Sequence, residues 1–170
     1  MFISKIKNRL RLKATVAILS LLPIVSGSLA STTTSTFTTQ VTLTASCTIN
    51  SASTLNFGSQ GVLIAAVNQT SAVQVQCTNT TPYNIGLDAG AGTGATVAVR
   101  KMTSGANTVN YSLYSDSGHT TVWGTTIGTN TVAATGSGAS QSYTVYGQVP
   151  AQTTPAPGSY SDTVTVTVTY

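Results

Sequence analysis

The densest group of reactive side chains in this sequence is Asp116, Ser117 and His119, inside the stretch SDSGHTTVWG. An acid, a hydroxyl and an imidazole are the types a nucleophilic relay needs, but a relay also needs them on separate elements converging on one point. Neighbours in one loop around Gly118 read instead as a solvated turn. General acid–base chemistry needs paired titratable groups held in different environments. The chain offers only Asp88, Asp116 and Asp162 as acids, has no glutamate, and carries His119 as its single histidine. Catalysis is therefore not expected. The glycine run GAGTGA (Gly90–Ala95) lacks the spacing and the following helix of a dinucleotide loop and reads as a hairpin connection. No cofactor is expected, and no metal site either, since His119 stands far from both cysteines.

Cys47 and Cys77 are the remaining reactive pair, and their meaning depends on the compartment. MFISKIKNRLRLK is basic, ATVAILSLLPIV is apolar, and SGSLA ends on small residues before Ser31. That order predicts a secretory signal peptide over residues 1–30. About a dozen apolar residues broken by Pro23 are too short for a membrane span. In an exported chain the two cysteines are expected to form one disulfide. Closing a loop of about thirty residues would stabilise the fold by roughly 3–4 kcal/mol.

The leader also carries most of the positive charge. Of seven basic residues, only Arg100 and Lys101 lie beyond it, against three aspartates. The remaining chain, about 140 residues long, has a net charge near minus one, which argues against nucleic acid as a partner.

Extended elements must position these residues. The composition is rich in Thr, Val, Ser, Gly and Ala, and no stretch shows helical periodicity. From Phe37 the odd positions read Phe37, Thr39, Val41, Leu43, Ala45, Cys47 and Ile49, one long period-two run. It divides into an N-terminal extension, roughly 35–44, and a first strand, roughly 45–50. Leu55 and Phe57 anchor a following loop. Further strands are predicted at SAVQVQC, at PYNIGLDAG with Ile85 and Leu87 inward, around Thr96–Met102, and at VNYSLYSD, with a short extension at TVWG. SYTVYGQVP follows with Tyr143, Val145 and Val149 inward. The chain closes on SYSDTVTVTVTY, where Val164, Val166 and Val168 alternate with threonines. A strand so apolar and uncharged along its edge invites pairing with another chain. Trp123 is either a core residue or a surface platform. The expected fold is an all-β sandwich, with a closed barrel as the alternative.

Several stretches together resemble the spore coat U domain family, which includes the Csu-type pilins of archaic chaperone–usher pili. They are the alternating strand ending at Cys47, LNFG (Leu55–Gly58), VQVQC (Val73–Cys77), YSLYSDSGHTTVWG (Tyr111–Gly124) and the run Tyr143–Tyr170. The resemblance implies an incomplete immunoglobulin-like sandwich completed by donor-strand complementation. Its domains would be the signal peptide, a donor-strand extension at 31–44 and a pilin domain at 45–170. Phe37, Thr39, Val41 and Leu43 would be donated to a neighbour, and Val164, Val166, Val168 and Tyr170 would line the accepting groove. Implied partners are related pilin subunits in a fibre, a periplasmic chaperone and an outer-membrane usher. Passage through the periplasm to the cell surface is implied too, with a role in attachment and biofilm formation. Two alternatives are a secreted, self-complemented coat or matrix protein, and a binding module at a fibre tip.

Overall fold

The computed structural model describes Gly27 and residues 29–170. The expected leader, residues 1–30, falls almost wholly outside the described residues. Residues 1–40 and 41–170 form separate units, and the second holds all eight strands.

The strands are β1 (Cys47–Ala52), β2 (Val67–Cys77), β3 (Pro82–Leu87), β4 (Arg100–Ser104), β5 (Asn107–Tyr114), β6 (Val132–Thr135), β7 (Ser140–Val149) and β8 (Val166–Thr169). They form a five-stranded sheet ordered β1-β2-β7-β5-β4 and a three-stranded sheet ordered β6-β3-β8. Every named pairing is antiparallel. Among the described residues there is no helix.

Period-two alternation explains the layering. In β2, Val73, Val75 and Cys77 are buried while Gln74 and Gln76 are exposed, and β7 matches them with Val145 and Val149 inward. Ile85 and Leu87 bring the second sheet to the same core, where Trp123 lies with 1% of its surface exposed. Its indole Nε1 donates to Ile85 O at 2.8 Å and its backbone N to Leu113 O at 2.9 Å, so one residue ties the two layers together. Trp123 is therefore core.

Two expectations need correction, and one strand has no counterpart among them. The strand predicted around Thr96–Met102 begins only at Arg100, because residues 92–99 turn on themselves: Ala95 N donates to Gly92 O and Thr96 N to Val99 O. β6 has no clear sequence signal, being four residues of Val, Ala and Thr with little contrast between faces. The terminal strand is not one element either. Ser161 exchanges hydrogen bonds with Thr103 beside β4, after which the chain crosses to the other sheet and pairs with β3 only from Val166.

Candidate functional site

β8 ends its sheet: it pairs with β3 on one side, and among the described residues no strand follows on the other. β1 likewise ends the larger sheet. The two edge strands approach each other without joining. Both are bounded by the same end of the fold, since β1 starts at Cys47 opposite Cys77, while the end of β8 at Thr169 lies opposite Asn84 near the start of β3.

Away from that end the sandwich opens into a cleft of about 1150 Å³. One wall is the segment Ala52–Leu63, the other Thr154–Val164 with Val166, and the floor is the core face of the larger sheet at Val73, Leu113, Val145 and Val149. The sequence builds it with small residues where the layers must meet. A Cβ on Gly147 would meet the tips of Leu55 and Phe57, so glycine here leaves room for the Leu55–Phe57 anchor to lie down on β7. Phe57 then meets Tyr111 edge to face, with ring centroids 6.3 Å apart.

Of the four residues expected on the accepting strand, Val164 and Val166 line this cleft. Val168 is half-buried nearer the closed end, and Tyr170 is 59% exposed. Thr163, Thr165, Thr167 and Thr169 face solvent. On the expected donor segment Phe37 is 87%, Val41 83% and Leu43 86% exposed, and Thr39 is exposed as well. Residues 29–46 carry no strand. Cys47 and Cys77 are joined by a disulfide across β1 and β2, fixing the point where that segment leaves the fold.

The cleft wall is held by a polar cluster that has no local sequence signal. Arg100 is completely buried and spends its guanidinium on main-chain oxygens: Nε on Asp88 O (2.7 Å), Nη1 on Val97 O (2.8 Å), and Nη2 on Leu87 O (2.9 Å) and Trp123 O (2.7 Å). Asp162 Oδ1 accepts from Ala91 N and Thr163 N, and its Oδ2 from the Tyr111 hydroxyl. Asp88 Oδ1 accepts from Thr165 N and Gly90 N. Burial pushes the Asp88 carboxyl up, but the Thr165 and Gly90 amides and the Arg100 charge outweigh it and leave it below its ordinary value. Burial, reinforced by the Asp162 hydrogen bond, raises the Tyr111 hydroxyl.

The loop at Asp116 does no comparable work. Its carboxylate accepts from Thr121 N, Thr120 N and Thr120 Oγ1, and the Thr121 amide is the main reason its pKa falls to about 2. The His119 ring packs against the Tyr114 and Tyr146 rings, and its backbone N donates to Asp116 O at 3.2 Å. Among the described residues no group of three or more His, Cys, Asp or Glu side chains could hold a metal ion.

A family model for the Spore Coat Protein U domain matches residues 33–167. Protein U of Myxococcus xanthus is 36% identical over 107 residues, covering 59% of this chain and 59% of that protein. Among solved structures, the CsuC–CsuE chaperone–tip adhesion subunit pre-assembly complex, from the archaic chaperone–usher Csu pili of Acinetobacter baumannii, superposes with a TM-score of 0.56 at 27% identity. That match covers 76% of this chain and 40% of the matched chain, so this chain spans less than two thirds of the length of either relative. The two-sheet architecture is immunoglobulin-like, and the chain belongs to the Spore Coat Protein U domain family.

Proposed function

We propose that this chain is a structural, non-enzymatic subunit of a chaperone–usher surface pilus, growing head to tail by donor-strand exchange. The observation that carries the reading is the free edge of β8 beside an apolar cleft, in a chain whose Phe37, Val41 and Leu43 stand exposed. A strand added along β8 would find unpaired main-chain groups and, on alternate residues, an apolar floor. Each large side chain moved from water into that cleft contributes roughly 1.5–3 kcal/mol gross. Filling one copy's cleft with another's leading segment is a heterologous contact that does not close, and so makes a fibre. On this reading a periplasmic chaperone fills the cleft first, an outer-membrane usher oversees the exchange, and the product stands on the cell surface, serving attachment and biofilm formation.

Local chemistry favours exchange over self-completion. Ser46 already belongs to the ladder, with its O accepting from Thr78 N and its N donating to Thr78 Oγ1. A return into the chain's own cleft would leave Thr44 and Ala45 as the turn, yet two-residue hairpins require φ > 0 and favour Asn and Gly. Because β1 and β8 run in opposite directions, that return would also lie parallel to β8, whereas a segment from another copy is free to pair antiparallel, the slightly more stable ladder.

The test is to produce residues 31–170 and a truncation lacking 31–43, each with and without a synthetic peptide of residues 31–46. The full chain is expected to form heat-sensitive ladders and filaments in electron micrographs. The truncation should stay monomeric and bind the peptide. A stable monomer of the full chain whose 35–44 amides resist hydrogen exchange would overturn the proposal.

A further inference from the structure

The wide end of the cleft carries a second apolar feature, which starts on the rim at Val62 and Leu63 and continues past it to Ile64, Ala65 and Ala66. Leu63 is buried, with its N donating no bond within its own turn but reaching Thr154 Oγ1 at 2.8 Å, while its O accepts from Gln152 N at 2.9 Å. Ile64 N donates to Val62 O at 3.0 Å, a three-residue γ-turn about Leu63. The turn drives its flanks outward: Val62 is 73% and Ile64 83% exposed. Ala65 and Ala66 continue the exposed surface, and Ala156 and Pro157 are exposed on the facing loop. Neither 53–66 nor 150–161 contains a charged residue. A pinned turn presenting two β-branched aliphatics to water is a contact surface without its partner.

We infer that this apolar tip is the seat of the next copy's domain in the fibre, a second subunit contact beyond the donated strand. The inference rests on the pilus reading above. Leu43 is separated from Cys47 by Thr44, Ala45 and Ser46 alone, about 13 Å when fully extended. Cys47 is locked to β2 by its disulfide, so the donor's folded domain stands at whichever mouth of the cleft its Leu43 occupies. Antiparallel pairing with β8 puts Leu43 at the wide end, next to Val62 and Ile64. The donor face brought there is the Cys47 end, with the turns Thr78–Thr81 and Gly136–Ser140, which is also free of charge. Two uncharged ends meet without repulsion, which makes this contact insensitive to salt.

Ile64 does not line the cleft, so Ile64→Asp and Ile64→Ser separate tip from cleft, and both are surface changes that leave the fold intact. Binding of the 31–46 peptide to the truncated subunit is measured alongside the dissociation rate of full-chain polymers in mild detergent. Peptide affinity is expected to stay within twofold for both variants, while polymers of Ile64→Asp dissociate at least tenfold faster, and those of Ile64→Ser by less, at low and high salt alike. Unchanged polymer lifetimes with peptide binding intact would overturn the inference and leave the pilus reading standing. So would unchanged lifetimes together with lost retention on polystyrene, which would assign the tip to an external apolar surface. A wild-type cleft that binds no peptide would end both.

Discussion

The Tyr111 hydroxyl donates to the Asp162 carboxylate at 2.7 Å, tying β5 to the segment that crosses between sheets. The same carboxylate receives the amides of Ala91 and Thr163, so three elements are pinned at the edge of the cleft. Gly90 makes room for it, since any Cβ there would overlap the carboxylate and its φ is +79°. Asp162 thus places the strand against which a partner would pair. Asp162→Ala should cost about 1.5–3 kcal/mol, the range for hydrogen bonds to a charged group, and Tyr111→Phe less, because the two amides remain. Urea denaturation of both variants checks the order. Equal losses would show that the hydroxyl carries the whole effect.

The cluster also sets how stability follows pH. Asp88 has a folded pKa below its ordinary value, and Asp116 is lowered to about 2. A depressed carboxyl contributes stability above its unfolded pKa and loses it as pH falls through the folded one. Stability should therefore decline from the ordinary carboxyl range near pH 4 downward. Tyr111 is raised, so its contribution is complete below the ordinary tyrosine value near 10 and lost above it. Thermal midpoints should stay level between these limits. Asp116→Asn should remove part of the acid limb only, and a midpoint falling steadily from pH 8 to 5 would contradict the assignment.

Arg100 should be the least replaceable charged residue of the fold. Arg100→Leu takes the donor from four main-chain oxygens, two of them buried, at Leu87 and Trp123, and two part-buried, at Asp88 and Val97. Each unpartnered buried oxygen costs about 1–3 kcal/mol, so the two buried ones set an expected loss of about 2–6 kcal/mol. Lys101, whose Nζ reaches only Thr93 O at 3.3 Å, should tolerate Lys101→Met within about 0.5 kcal/mol. Denaturant titration of the two variants reads the contrast directly.

This pair shows what the sequence could and could not disclose. Arg100 and Lys101 are neighbours of like charge, and nothing local separates them. Only the pairing Arg100↔Tyr111 and Lys101↔Asn110 sends one inward and the other out. The period-two face of β2 and the burial of Ile85, Leu87, Val145 and Val149 were legible, because alternation is a local signal. The run ending on Tyr170 reads as one strand since its alternation never breaks. Its division between sheets goes with Asp88 capturing the Thr165 amide and Asp162 capturing the Ala91 amide, contacts between residues far apart in the chain and without local signature. Trp123, isolated in sequence, owes its place to a carbonyl on β3.

The disulfide should matter for order at the point where the leading segment leaves the fold, as well as for global stability. Cys47 and Cys77 face each other at the end of the β1–β2 ladder. Replacing both by serine should cost about 3–4 kcal/mol by loop-closure entropy. Reductant should lower the wild-type denaturation midpoint to that of the variant and leave the variant unmoved. A wild-type midpoint indifferent to reductant would mean that the cross-link adds nothing to the fold.

Val41 and Leu43 allow stability and assembly to be separated cleanly. Both are exposed in the isolated chain, so Val41→Asp or Leu43→Asp removes no packing and should leave the denaturation midpoint of the subunit within about 0.5 kcal/mol of wild type. In a neighbour's cleft, floored by Val73, Leu113, Val145 and Val149, the same carboxylate would have no partner. An unpaired charge forced into apolar surroundings costs far more than a leucine gains there. Each variant should therefore stay monomeric as a donor while its own cleft still binds the 31–46 peptide normally, so mixing it with wild type should cap growing chains and shorten filaments in proportion to its share. Thr39→Val, adding a methyl in place of a hydroxyl on the same face, should preserve or strengthen assembly. Filaments of normal length from Leu43→Asp alone would remove this segment from the interface.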